Sequence, residues 1–172
     1  MKKIFDFMML LVLLVLTFSG CSSAAVMTSD SNALQNSDEK KIIYENKDYG
    51  FKFSLPAGWE NYKIIIDKWE GRSAEEEPEK IETGPLISIR HPLWTAENPR
   101  QDIPIMVLTI KQWEALQKGE FYIGAAPIGP TELGRNSGYV FALPARYNYA
   151  FPEGFEEVEK ILQANPLVAC SI

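Results

Sequence analysis

The stretch Tyr49-Gly50-Phe51-Lys52-Phe53-Ser54-Leu55-Pro56-Ala57-Gly58-Trp59 decides the fold. Phe51, Phe53 and Leu55 alternate with Gly50, Lys52 and Ser54, the period of a strand with one face buried and the other in water. Pro56 has no backbone N–H to give to a ladder, and Ala57-Gly58-Trp59 turns the chain. Upstream, Ile42-Ile43-Tyr44 runs into Asn46-Lys47-Asp48, so the two apolar runs read as a hairpin. Downstream, Tyr62 to Asp67, Leu86 to Arg90, Ile105 to Thr109, Phe121 to Ile123 and Tyr139 to Leu143 read as further strands.

Two helices interrupt them. Thr109 and Gln112 have capping-box spacing, Trp113 and Leu116 share a face, and Gly119 suits a C-terminal stop, which predicts a helix from Ile110 to Lys118. The second pattern places Pro152 in a first turn, with Glu153, Glu156 and Glu157 near the positive end of the helix. Phe155, Val158 and Leu162 form its apolar stripe before Asn165-Pro166 ends it. Such a stripe needs a sheet to cover, so the expected fold class is α+β, an antiparallel sheet flanked by helices in layers.

The Tyr49 to Trp59 motif resembles the opening of PsbP-like domains, in which a short strand ends in Pro, a small residue, Gly and Trp. That family includes DcrB-like bacterial lipoproteins. The resemblance implies a PsbP-like layered sandwich and a binding or assembly module, mostly without known catalysis. The late amphipathic helix is in keeping with it. Nothing in this chain matches residues for binding a photosystem.

The N-terminus addresses the protein to a membrane. Lys2-Lys3, the apolar run Phe7 to Phe18 and the small pair Ser19-Gly20 read as a signal peptide over residues 1–20. Phe18-Ser19-Gly20-Cys21 resembles a bacterial lipobox, in which the cysteine thiol takes a diacylglycerol thioether and becomes the first mature residue. The apolar run is roughly a dozen residues, short of the ~20 a spanning helix needs. Residues 21–39 therefore read as the lipidated Cys21 and a polar, small-residue tether. Residues 40–172, about 130 in number, suit a single domain with its own core. Ser22 follows the cysteine where diderm bacteria often place Asp to retain lipoproteins at the inner membrane. The expected location is extracytoplasmic, on the outer face of the cell membrane, or on the outer membrane of a two-membrane cell.

Charge narrows the partners. The chain carries a net −6, and its first twenty residues hold Lys2 and Lys3 against Asp6, leaving −7 for the remainder. An acidic chain without a basic cluster cannot neutralise phosphates, which argues against nucleic acid. Membrane contact is accordingly assigned to the lipid on Cys21. With Cys21 acylated, Cys170 has no intramolecular disulfide partner and reads as a small hydrophobe of the C-terminal tail.

No catalytic set emerges. His91 is the sole histidine, so a two-histidine metal site is excluded, and no Gly-x-Ser-x-Gly elbow occurs. Glu75-Glu76-Glu77 with Glu79 and Glu82 lacks the Asp/Asn/Gly pattern of a calcium loop and reads as a solvated acidic loop. No cofactor is expected. Trp59 and Trp113 read as core; Trp69, Trp94, Tyr122, Tyr147 and Tyr149 could line a groove, with a place in the core the favoured reading for most of them. Two loops could shape it: Arg90 to Asp102, and Gly124 to Pro130. The expected site comprises Arg90, His91, Trp94, Pro127, Tyr147 and Tyr149, facing an envelope protein or a small ligand. Two other readings stand beside this binding module: a small hydrolase or isomerase centred on His91, and a purely structural envelope component.

Overall fold

The computed structural model describes residues 41–73, 80–125 and 128–171. The signal peptide, Cys21, the tether, Glu75, Glu76, Glu77, Glu79 and Pro127 lie outside the described residues. Among the described residues nine strands form two antiparallel sheets. β1 (Ile42–Asn46), β2 (Phe51–Leu55) and β9 (Leu167–Ala169) make a three-stranded sheet in the order β1-β2-β9. The larger sheet has the order β6-β3-β4-β5-β8-β7, from β3 (Lys63–Ser73), β4 (Ile81–Arg90), β5 (Ile103–Thr109), β6 (Phe121–Ile123), β7 (Thr131–Arg135) and β8 (Tyr139–Leu143). Two short helices complete the described chain, α1 (Ile110–Gln117) and α2 (Phe155–Gln163).

The opening motif behaves as its alternation predicts. Phe51, Phe53 and Leu55 are buried while Lys52 is exposed, and Pro56 leads into a single 3-10 turn, Ala57–Trp59. The face they bury is met by Ile87 and Ile89 of β4, Ile103, Ile105 and Val107 of β5, and Phe141 of β8, with Val158 and Ile161 of α2 closing one side. Phe51 packs on Phe141 at 4.7 Å between ring centroids. The opposite face of the large sheet carries Met106, Leu108, Val140 and Ala142, covered by Trp113 of α1 and by Trp69 and Phe121. β5 is thus apolar on both faces because both of its faces are covered, the pattern of an interior strand.

The helix-flanked α+β sandwich is not what forms. Strand makes up 46% and helix only 16% of the described residues, and the six-stranded sheet curls opposite a second sheet rather than beneath a helical layer. The physical reason lies in which element reaches the core. Phe51, Phe53, Leu55 and Leu167 fill the face assigned to a helix, and α2, nine residues and so ~14 Å long, covers only part of it. β3 and β4 also extend well past their apolar centres, pairing from Lys63↔Arg90 to Arg72↔Ile81 through residues with little apolar alternation.

Local details differ in instructive ways. The Thr109 capping box forms as its spacing predicts, with Thr109 Oγ1 accepting from the Gln112 N–H at 3.2 Å and Gln112 Oε1 accepting from the Thr109 N–H at 3.1 Å. Pro152 does not enter the second helix. Glu153 is drawn into a bridge with Arg100, its carbonyl accepting from the Gln101 N–H at 2.8 Å, and Gly154 at φ +83° turns the chain into α2. Asn136 ties the sheets together: its Nδ2 donates to the carbonyls of Tyr49 (2.8 Å) and Gly50 (3.1 Å), and its Oδ1 accepts from the N–H groups of Gly138 and Tyr139.

Candidate functional site

The loop after β4 and the loop before α2 meet at one end of the large sheet, and most of the expected site residues meet with them. At the start of the first loop, Arg90 makes a forked pair with Asp102, Nη2 to Oδ2 at 2.8 Å and Nε to Oδ1 at 3.2 Å. The same guanidinium lies 3.9 Å from the centre of the Trp94 ring, a cation–π contact. The turn between them is closed by the Trp94 N–H donating to the His91 carbonyl at 3.0 Å and by Asn98 and Thr95, which bond reciprocally. Leu93 at its tip is 67% exposed.

His91 lies beneath this turn, 6% exposed, with its ring edge-on to Trp59 at 4.9 Å. Its Nδ1 accepts the Leu93 N–H at 3.1 Å, which places the imidazole proton on Nε2. Burial, and then the Arg100 cation, push its pKa below the ordinary value, while Glu157 and Glu153 pull the other way. The neutral imidazole is therefore the form the fold selects. Among the described residues no hydroxyl or thiol is hydrogen-bonded to it, so nothing there resembles a nucleophile held by a base.

The second loop joins through Arg100 and Gln101. Arg100 pairs with Glu153 and, through Nη2, with Glu157 at 3.6 Å, and Glu157 also accepts the Trp59 indole N–H at 3.0 Å. Gln101, 7% exposed, donates from Nε2 to the carbonyls of Asp102 (2.8 Å) and Tyr147 (3.4 Å). Arg100 Nε and Gln101 Oε1 are buried without a hydrogen-bond partner, so among the described residues the junction is also where polar satisfaction is least complete. Asn148 is held by Glu159 of α2 at 2.7 Å. Tyr147 is half-buried, and burial raises its pKa, with Glu159 adding to the shift.

Two non-glycine residues of this loop, Arg146 (φ +54°) and Phe151 (φ +47°), sit in the left-handed region. A bulky side chain there is strained and persists only where surrounding contacts fix it. Here the Phe151 N–H donates to the Asn148 carbonyl at 2.9 Å, and its ring meets Phe155 edge-on at 5.2 Å. Tyr149 and Phe151 are nonetheless 77% and 67% exposed.

Arg90, His91, Trp94 and Tyr147 are thus linked through one network, and Tyr149 projects from the same second loop. Trp69 and Tyr122 belong elsewhere. Trp69 is core, donating its indole N–H to the Val107 carbonyl at 2.9 Å, and Tyr122 is exposed on β6. Of the residues that hold the junction together, Trp59 reads in the sequence as core and Glu153 and Glu157 as the acidic start of a helix, while Arg100 and Gln101 carry no reading there, and none of the five is expected at the site.

Among the described residues no three His, Cys, Asp or Glu side chains converge as metal ligands, and no helix is long and apolar enough to cross a membrane. A cleft of about 440 Å³ opens beside the junction, lined by Arg100, Phe151, Pro152, Phe155 and Lys160 among others. No protein-family model matches the chain, and neither the curated proteins nor the solved structures compared with it include a match.

Proposed function

We propose that the chain is a lipid-anchored, extracytoplasmic binding or assembly module, which recognises an envelope protein through the two loops that meet at Arg100. The anchor half of this reading rests on Phe18-Ser19-Gly20-Cys21. The binding half rests on one observation: exposed Leu93, Tyr149 and Phe151 project from loops whose backbones are fixed by hydrogen bonds within and between the two loops, with the Asn148 side chain held by Glu159 of α2. Apolar and aromatic side chains held in this way lose little conformational entropy on binding, which is what recognition sites require. The reading of His91 as the centre of a hydrolase or isomerase draws less support, because its Nδ1 is already committed to the Leu93 N–H.

Both halves are tested in membranes. Wild type should incorporate lipid label and partition with the membrane, and Cys21→Ser should do neither. Leu93→Ser combined with Tyr149→Ser removes two exposed side chains, so the fold should be kept while the membrane complex is lost from native gels. Absence of lipid label in wild type would end the anchor reading. An undiminished complex in the folded double variant would end the loop reading.

A further inference from the structure

We propose that His91 is an acid-released latch on the first recognition loop: its neutral imidazole holds the Pro92 to Trp94 turn, and protonation frees that turn. The inference rests on the reading of these loops as the recognition surface and supplies its regulation. Three features of the geometry carry it. Nδ1 accepts the Leu93 N–H at 3.1 Å, so protonation would set a donor against a donor and break the bond. The ring is buried against Trp59, so a charged imidazole cannot reach water without leaving that contact. Leu93 and Trp94, the exposed tip and the aromatic partner of Arg90, both ride on the segment that this bond restrains.

The surrounding charges favour release rather than accommodation. Arg100 faces His91 from the loop before β5, and a second cation beside it is repelled. Among the described residues, Glu153 and Glu157, at the entry and first turn of α2, are the carboxylates that attract a protonated His91, and both are already paired with Arg100. On the remaining flank the Arg90–Asp102 pair is internally neutralised. The Trp59 indole, the neighbour from the 3-10 turn, is itself a donor engaged with Glu157 and offers His91 no acceptor.

Because His91 is the only histidine, its ring resonances in the mature Cys21→Ser chain can be followed by heteronuclear NMR without ambiguity. Between about pH 7.5 and 4.5, the ring should titrate from an Nε2–H tautomer, with a midpoint below the ordinary 6.5. Exchange protection of the Leu93 amide should fall roughly tenfold, the equivalent of one hydrogen bond, with the same midpoint. His91→Gln, which stays neutral, should show no such coincident loss. The latch is refuted if wild-type Leu93 protection is unchanged through the His91 midpoint, or if a folded His91→Gln loses it in the same pH range. These readouts need no partner. A working latch with no change in the membrane complex would therefore count against the recognition reading and not against the latch.

Discussion

Removing the indole N–H at the junction should have a cost that depends on Glu157. Trp59 is 1% exposed and donates to Glu157 Oε1 at 3.0 Å. A hydrogen bond to a charged acceptor is worth about 1.5–3 kcal/mol when both groups are buried. The Glu157 side chain is 39% exposed, so water competes for it and the coupling should be near 1–1.5 kcal/mol, roughly. Trp59→Phe should cost more than that, about 2–3 kcal/mol, since it also removes part of a buried ring. Glu157→Ala additionally takes from Arg100 one of its two carboxylate partners, leaving Glu153, but a double-mutant cycle cancels that contribution. Urea unfolding of the four proteins in the Cys21→Ser background gives the coupling directly. If the two effects add within ~0.3–0.5 kcal/mol, the indole bond contributes nothing and the account of the junction is wrong.

Other substitutions test the packing around it. Asn136→Ala removes four hydrogen bonds, two of them to the β1–β2 hairpin and two within the β7–β8 turn, and should cost about 2–3 kcal/mol, read as a lowered thermal midpoint. Gly84→Ala places a methyl 2.7 Å from the Trp69 indole, displacing its bond to Val107, and should cost about 2–3 kcal/mol. Gly58→Ala meets nothing within 4 Å and should stay within ~0.5 kcal/mol of wild type, so equal losses at the two glycines would contradict the structure. His91 has a lowered pKa in the folded state, so the unfolded chain binds its proton first; stability is full above the ordinary 6.5 and declines as pH falls towards the folded value. The folded pKa of Glu82 is lowered by Lys80 and Gln112, and that of Glu132 by Arg135, so their contribution is lost only as pH falls below the ordinary 4.5. Urea midpoints against pH should show both declines in wild type and only the second in His91→Gln.

The elements legible in the sequence were those whose own residues carry the signal. Alternation in Phe51 to Leu55 and a complete capping box at Thr109 are local, and both form where expected. β7 was missed because Thr131–Arg135 holds a single large apolar residue, Leu133, and an irregularity between Glu132 and Gly134 breaks its period. β9, three residues after a proline, is a strand only because β2 offers it an edge. The layer opposite the large sheet was misassigned for the same reason: whether a helix or a second sheet covers a face is decided by long-range pairing, which periodicity does not encode. At the site, the loop residues Arg90, His91 and Trp94 stood out by type. Their partners Arg100, Glu153 and Glu157 were ordinary surface charges until the bridge between Arg100 and Glu153 brought them together.

Site-specific photo-crosslinking in intact membranes tests the central claim most directly. A photoreactive side chain would be placed at exposed Leu93 or Tyr149, one on each loop, and at exposed Lys68 or Glu70 on β3 as controls. The account predicts one discrete adduct of the same mass from both loop positions and none from β3. Labelling at the loops no stronger than at β3, or unrelated adducts from Leu93 and Tyr149, would contradict it.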